Sequence, residues 1–353
     1  MQLARYLVAV AALAAAARAD TGFTSKVQVY TDSDHTTVIS PVVQAAADVT
    51  NDTSVSLGYL VDAVSSASVD IVSQASPREM HDVRHQVSTG LTHTIGTLTL
   101  DGNYSYSTEN DYLSHTLGFG ASKDFDDKNT TFALDYGVSL NTVGRSGDAN
   151  FSRDETAQHV SLSWTQIINP KLATQLTYEL GHDSGFQSSP YRYVPIRASA
   201  TAAPELWVWE TDPDERTRNA LVFGINRALG KDSVQADYRL YLDDWGIASH
   251  TFGLRYFTWL TKHVELRLRE RFYTQGAASF YQEIYTQPEK YITFDRELST
   301  LWSETFGAKL VWGVADHVEL ELKTDVFYYS YAEFLPLQSR TGANLGIGMA
   351  LTY

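Results

Sequence analysis

The sequence contains no cysteine, and this absence removes several kinds of chemistry at once. Disulfide bridges, thiolate nucleophiles and cysteine-bound zinc or iron–sulfur sites are all excluded. A metal would have to be bound by histidine or carboxylate side chains. The ten histidines show no HExxH motif and no other paired-ligand spacing, so the sequence predicts no cofactor.

The chain also lacks an excess of basic residues, because 27 Lys and Arg stand against 42 Asp and Glu, a net charge of −15. Binding to nucleic acid needs a basic face that neutralises phosphates, so nucleic acid is not predicted as a partner. Beyond the first 19 residues there is no apolar run of the length that a membrane-spanning helix requires, about 18 residues. A hydrophobic content of 43% is nevertheless too high for a disordered chain.

Residues 1–19 have the features of a secretory signal peptide. Arg5 precedes an apolar stretch at 7–17, and Ala17-Arg18-Ala19 forms a small-residue cleavage site. An uncleaved membrane anchor is the alternative, but the apolar stretch is short and rich in alanine. We therefore expect an exported protein with one domain, residues 20–353.

Apolar and polar residues alternate through almost all of that domain. Val318, Leu320 and Leu322, for example, alternate with Glu319, Glu321 and Lys323. Such strands have one apolar and one ionic face, as in a wall with water on one side. A soluble β-sandwich would alternate too, but these segments run to roughly 12 to 15 residues, whereas soluble strands average about five or six. A tilted outer-membrane strand needs about 9 to 11 residues to cross. The pattern therefore predicts an all-β fold, a transmembrane antiparallel up-and-down β-barrel.

About sixteen strands are expected, and the connections between them sort into two kinds. Four long connections, residues 65–81, 143–155, 185–214 and 276–296, all fall at one end of the barrel, while the other end has short turns. This is the arrangement of a bacterial outer-membrane barrel with its loops at the cell surface. Four prolines in 185–214 exclude a regular strand there and suggest either a loop folded over or into the mouth or a mobile surface loop. The predicted strands are 23–31, 36–47, 54–64, 82–94, 97–108, 111–123, 129–142, 156–168, 172–182, 215–229, 233–243, 248–260, 264–274, 297–311, 318–332 and 341–353.

If the apolar faces contact lipid, the charged residues of the later strands line the lumen. Because sixteen strands enclose an aqueous channel unless something fills it, an open pore is favoured over a plugged interior with structural salt bridges. The pore-lining candidates are Asp237, Arg239, Arg255, Glu265, Arg267, Arg269, Arg271, Lys309, Glu319, Glu321, Lys323 and Asp325.

Two further groups of polar residues allow a functional and an ordinary interpretation. Ser65, Ser66, Ser68 and Asp70, followed by His81 and His85, contain the residue types of a hydrolase, but turn-capping hydroxyls are far commoner and no G-x-S-x-G motif is present. We predict no enzymatic activity. Acidic loop tips could bind calcium, although solvated turn acids are the commoner explanation. These tips contain Asp32, Asp34, His35, Glu109, Asn110 and Asp111.

Aromatic residues near strand ends are typical of the rings that mark the two membrane interfaces. The residues concerned are Trp312, Tyr328, Tyr329, Tyr331, Phe257 and Trp259. The final residue, Tyr353, lies in phase with the apolar face and is the expected signal for the barrel assembly machinery. That machinery and outer-membrane lipid are the predicted partners, and the oligomeric state stays open.

Several segments resemble a family of predicted outer-membrane barrels, domain of unknown function 3570. The segments are YTDSDHTTVISP (30–41), YLVDAVSSASVDIVSQAS (59–76), RHQVS (84–88), YSTENDYLSH (106–115) and FQSSPYRYV (186–194). The family motif includes Asp62, Ser65, Ser66, Ser68 and Asp70. The resemblance implies a barrel in the outer membrane and carries no activity with it.

Three functions follow in order of preference. The first is a passive pore with a charged lumen for small hydrophilic solutes. The second is a plugged barrel that serves as a surface or assembly platform, and the third is an outer-membrane hydrolase.

Overall fold

The computed structural model describes residues 21–66 and 80–352, and in these residues the chain forms a closed antiparallel barrel of sixteen strands. Two short strands form a separate hairpin within one loop, and three residues form a 3₁₀ turn within another. No helix among the described residues is long and apolar enough to cross a membrane. The predicted signal peptide and Tyr353 lie outside the described residues.

The barrel strands run in chain order, and each pairs with its neighbours in sequence. The ring closes because β1 pairs with β2 on one side and with β18 on the other, with Val27 opposite Pro41 and Ile347. The strands are β1 Thr21–Asp32, β2 Thr36–Thr50, β3 Thr53–Ser66, β4 Met80–Ile95, β5 Leu98–Thr108, β6 Tyr112–Phe125, β7 Thr130–Gly144, β8 Ser152–Asn169, β9 Leu172–Gly185, β12 Glu215–Leu229, β13 Asp232–Asp243, β14 Ala248–Trp259, β15 Val264–Gln275, β16 Leu301–Ala315, β17 Val318–Tyr331 and β18 Ser339–Thr352.

All sixteen predicted strands are present, most with ends that differ from expectation by a few residues. The start of β16 was predicted at Glu297, and this is wrong. Residues Arg296–Leu298 form the 3₁₀ turn, because the Asp295 side chain accepts a hydrogen bond from the Glu297 backbone N–H and caps it.

The outer and inner faces of the wall have opposite chemistry. Large apolar side chains are exposed on the outer face, as at Leu162 (50%), Phe306 (56%) and Ile347 (68%). Their neighbours along each strand, such as Ser161 and Ser163, point inward because side chains alternate across a strand. The barrel is therefore apolar outside and polar inside, the reverse of a soluble protein.

The two ends of the barrel differ as well. One end, called here the short-turn end, has tight connections such as Gly96 with φ 64° and Asp126 and Asp127 with φ 51° and 50°. These left-handed conformations suit glycine and aspartate in two- to four-residue hairpin turns. The other end carries the long loops and is called the long-loop end.

Five hairpins carry a tyrosine on the outer face whose hydroxyl reaches a polar side chain on the next strand, at distances of 2.6 to 2.9 Å. The polar partners lie about ten residues above the short-turn end, and a tilted strand of that length spans an apolar band about 25 Å tall. The tyrosines therefore mark the upper border of the apolar band. The pairs are Tyr59–His85, Tyr104–His115, Tyr136–Gln158, Tyr178–Asn219 and Tyr238–His250.

Proline 195 lies within a strand, contrary to the expectation for residues 185–214. Strand β10, Tyr193–Ile196, pairs with β11, Leu206–Trp209, and places Pro195 opposite Trp207. A four-residue hairpin tolerates proline because few of its backbone N–H groups have to be paired within the sheet.

Candidate functional site

The lumen wall formed by β13 to β17 carries all twelve predicted pore-lining residues on its inner face. Ion pairs between or along strands hold most of these side chains. Arg255 binds Asp237 at 2.7 Å and Arg267 binds Glu265 at 2.9 Å. Arg239 reaches across β12 to Glu179 on β9, at 2.6 Å.

Two carboxylates in this wall each form ion pairs with two cations. Asp325 lies 2.8 Å from the Arg269 Nε and 3.0 Å from the Lys323 Nζ. Glu321 lies 2.6 Å from Lys309 and 3.2 Å from Lys26. Cations therefore outnumber the carboxylates that neutralise them in this part of the wall.

Glycine 307 makes the Arg269–Asp325 pair possible. The two residues lie on β15 and β17, and Gly307 is their common neighbour on the intervening strand β16. A Cβ atom at this position would overlap the Asp325 carboxylate and crowd the Arg269 side chain. The two side chains thus meet above β16, at a position where only glycine leaves room for them.

The opposite wall of the lumen, around β5 to β7, carries mostly small polar side chains and few charges. In a ring of sixteen strands β5 lies directly across from β15, eight places away, and β7 lies across from β17. The inner face there carries Ser, Thr and Gly residues together with Asp101 and Asp135, which form no ion pair with any described residue. Sequence reasoning limited the pore lining to the later strands and missed these two acids, although the same alternation marks them.

The side chains of the described residues do not fill the lumen at the middle of the strands. The Arg255 side chain is 50% exposed and that of Arg269 is 42% exposed, although both point inward. Asp135 on the facing wall is exposed as well. Contacts between the described long loops and the wall lie near the long-loop end of the strands, as at Tyr241 and Tyr331.

Two long loops form a cap at that end. We define the cap as residues 186–214, which contain β10 and β11, together with residues 276–300. A small apolar core joins the two loops through Val194, Ile196, Tyr285 and Ile292, all buried. Backbone hydrogen bonds of 2.9 and 2.8 Å between Thr211 and Ile292 add to the connection. The cap is an ordered substructure with its own core.

The cap also covers inward-pointing aromatic residues at the tops of the strands. Tyr329 and Tyr331 stack with ring centroids 6.1 Å apart, and Tyr331 packs with Phe334 and Leu301 beneath the cap. Tyr328 and Trp312 point outward and fit the predicted interface rings. Trp259 and Phe257 stand opposite Glu265 and Arg267 and therefore lie on the inner face of the wall. The aromatic residues near strand ends are thus divided between the outer face and the interior of the barrel, and the expectation of interface rings is wrong for those that point inward.

The cap is anchored to the rim at two distant places. Arg296 forms a buried ion pair with Asp34 in the turn between β1 and β2. In the connection between β7 and β8, the Arg145 side chain donates to the Pro190 carbonyl at 2.8 Å, and the Ser146 N–H donates to the Tyr191 hydroxyl at 2.6 Å. The cap therefore bridges the mouth. The expectation that Asp34 is a solvated turn acid is wrong, because a cation 262 residues away neutralises it in the interior.

A group of carboxylates lies inside the cap. The buried Glu210 accepts hydrogen bonds from the Thr293 hydroxyl (2.6 Å), the Phe294 N–H (3.1 Å) and Arg192 (2.9 Å). Burial, together with the charges of Glu210 and Asp295, raises the pKa of the nearby Asp212 to about 8. Sequence reasoning did not identify this group, since nothing in a proline-rich loop shows which of its acids become buried.

Three other acids meet at the rim between β4 and β6. Carboxylate oxygens of Asp82, Glu109 and Asp111 all lie within 4.8 Å of one another, and the Asn110 amide donates to Asp82 at 2.8 Å. Burial and the charge of Asp82 raise the pKa of Glu109 to about 6 and also raise that of Asp111. Oxygen ligands of this kind suit a hard cation such as calcium. Asp32, at the end of β1, does not belong to this group of acids. Its carboxylate accepts hydrogen bonds from the Tyr30 hydroxyl and from the Asp34 and Thr36 N–H groups.

The residues considered for hydrolysis do not converge among those that the structure describes. Asp62 points inward and binds Arg84, whereas His85 points outward and its Nδ1 lies 2.9 Å from the Tyr59 hydroxyl. Ser65 lies at the end of β3. Ser68 and Asp70 fall outside the described residues, as do the side chains of Ser66 and His81.

The sequence matches one family over two overlapping segments, residues 69–159 and 145–342, which together cover most of the chain. The chain belongs to the DUF3570 family. The family's description is "protein of unknown function", so membership carries no activity with it. A comparison with curated proteins finds no match.

Solved structures of outer-membrane barrels resemble the fold. A structure described as a bacterial polysaccharide outer membrane secretin is 8% identical, with a TM-score of 0.52, and the alignment covers 95% of this chain and 98% of the other. The CymD monoaromatic hydrocarbon channel is 8% identical, with a TM-score of 0.46 and coverage of 98% and 92%. The ferric enterobactin receptor PfeA of Pseudomonas aeruginosa is 10% identical, with a TM-score of 0.47; the alignment covers 89% of this chain and 54% of the receptor. The protein is an outer-membrane-type β-barrel.

Proposed function

We propose that this protein is a passive pore of the bacterial outer membrane that admits small hydrophilic solutes. The observation that supports the proposal best is the state of the inner wall at mid-height, where charged side chains such as Arg255 and Arg269 stay exposed. A barrel of sixteen strands is wide enough for water to fill the interior that these side chains border. The long-loop end faces the cell surface, and the cap limits the size of what enters.

Ionic current through a planar lipid bilayer tests the proposal. Purified, folded protein added to one side should produce stepwise increases in conductance. A variant that lacks the second cap loop, with residues 277–295 replaced by a short glycine–serine linker, should give larger steps because the mouth is wider. Absence of any steps at high protein load, in both forms and with folding verified, would refute the pore.

A second function, a closed barrel that serves as a binding platform at the cell surface, is supported by the cap itself. Its two loops share a buried core and are anchored at both Arg296 and Arg145, so the loop surface is rigid enough to present a fixed shape. Under this alternative both protein forms would stay silent in the bilayer.

A further inference from the structure

The charged inner wall contains a cavity whose lining is strongly cationic. Its volume is about 230 Å³, and it lies between Arg255, Arg267, Arg269, Lys309 and Lys323, with Asp325 as the one carboxylate among its ten lining residues. The five cations come from four consecutive strands, β14 to β17. They converge because inward residues on adjacent strands stand side by side, as Arg255 and Arg269 do, and Arg267 and Lys309.

Each of the five cavity cations has a carboxylate partner, but among the twelve pore-lining candidates seven cations stand against five carboxylates, so the wall keeps a net positive charge. Asp325 and Glu321 each neutralise two cations, and Arg271, one step above the cavity on β15, forms no ion pair with the described residues. Arg271 instead lies over the Tyr273 ring, 5.3 Å from its centre. An anion entering the cavity would therefore find donors whose charge the protein itself leaves partly unbalanced.

Across the lumen, the wall of β5 to β7 has the opposite sign. Asp101 and Asp135 face inward without a cationic partner among the described residues. Charges of opposite sign on facing walls produce a field across the lumen, which pushes anions toward the cavity and away from β5. Because the whole chain is acidic, with a net charge of −15, a cationic region at this depth is not a consequence of overall composition.

We propose that the lumen of this protein selects small oxyanionic solutes, which bind transiently in the cavity formed by Arg255, Arg267, Arg269, Lys309 and Lys323. The shared chemistry is a carboxylate or phosphate group held by guanidinium and ammonium donors. This inference rests on the proposed pore function for transport, but the binding step can be measured without it.

The first test measures ion selectivity in a planar bilayer under a potassium chloride gradient. The reversal potential should have the sign of anion preference, and adding either sodium phosphate or sodium succinate should reduce the chloride current in a saturable way. Saturation by phosphate alone assigns the site to phosphate-bearing solutes, and saturation by succinate alone assigns it to carboxylates. A cation-selective or unselective current, unaffected by either anion, would overturn the inference and leave the pore itself intact.

The variant R269Q/K309Q is suited to this test because it removes two cavity cations without stranding a carboxylate. Asp325 keeps Lys323 and Glu321 keeps Lys26. We expect the reversal potential to shift toward zero or change sign, and the saturable block to disappear. The charge-preserving variant K309R should behave like the parent. The matched control R153Q removes an arginine near the long-loop end, away from the cavity, and should leave the block unchanged.

Direct binding separates this inference from the pore proposal. In detergent micelles, equilibrium dialysis with radiolabelled phosphate and with radiolabelled succinate should show saturable binding of at least one anion by the parent protein and R153Q but not by R269Q/K309Q. If the bilayer stays silent while this binding is found, the pore proposal fails and the anion site stands. Absence of binding by the folded parent would refute the anion site.

Discussion

At the scale of single residues, an ion pair of the inner wall depends on a glycine that leaves space for it as much as on the two charged residues that form it. Gly307 has inward neighbours on both sides, Arg269 and Asp325, and their ion pair occupies the space above it. The sequence shows this glycine only as an interruption of the alternation. The structural role of Gly307 depends on the register of β15, β16 and β17, which the sequence alone does not specify.

Replacing Gly307 with alanine should therefore weaken the barrel. The new Cβ displaces the Asp325 carboxylate and separates it from Arg269, and overpacking of this kind costs about 1 to 3 kcal/mol. Urea unfolding in detergent micelles measures the change. Gly22→Ala is the matched control, since nothing lies within 4 Å of a Cβ atom there. Equal stability of the two variants would contradict the role given to Gly307.

Glu109 gives a prediction about pH. Its pKa in the folded protein is raised to about 6 from the usual 4.5, so the folded state holds the proton more tightly than the unfolded state does. Stability should fall as the pH rises from about 4.5 through about 6, as this carboxyl group ionises beside Asp82. Glu109→Gln removes that ionisation and should be more stable than the parent at pH 7.5 but equal to it at pH 4.

Unfolding midpoints at the two pH values measure this effect. Glu205→Gln, in an exposed part of the cap, is the control and should change neither value. A Glu109→Gln variant that is less stable than the parent at pH 7.5 would show that the carboxylate is favourable there, for instance through a bound cation.

At the scale of elements, strands and loops differ in how far the sequence predicts them. Strand positions follow from the alternation of apolar and polar residues, and all sixteen were recognised because lipid on one side and water on the other impose that pattern on every strand. The cap has no comparable pattern. Its core joins Val194 to Ile292 and its anchor joins Asp34 to Arg296, and contacts over such distances along the chain leave no periodicity to detect.

The Arg296–Asp34 ion pair should hold the cap in place. Arg296→Gln removes the cation that the structure describes beside the buried Asp34, and breaking a buried pair in this way costs about 3 to 5 kcal/mol. We expect the loop at 276–300 to become sensitive to protease in reconstituted vesicles while the strands stay protected. Lys290→Gln, in the same loop but without an ion pair among the described residues, should retain the parent's resistance.

If Arg296→Gln were as resistant as the parent, the apolar core of the cap would be sufficient to hold it. The Asp34 pair would then be incidental to closure of the mouth.

At the scale of the whole molecule, the fold and its faces follow from a single physical condition. A sheet that closes on itself has no free edge. Its outer face is apolar and its inner face polar, as expected where the outside contacts acyl chains and the inside contacts water. The sequence indicates this condition, the strand count and the twelve inward charges on β13 to β17. It does not indicate the field across the lumen, because that depends on which strands face each other around the ring.

The most direct test of this account is cysteine labelling along β8, which is straightforward because the natural chain has no cysteine. Single variants Ser161→Cys, Leu162→Cys, Ser163→Cys and Trp164→Cys would be reconstituted into vesicles and treated with a membrane-impermeant maleimide. Positions 161 and 163 should be labelled, since they face a water-filled lumen, and positions 162 and 164 should be protected by lipid. Equal labelling of all four positions, or labelling of 162 and 164 alone, would contradict it.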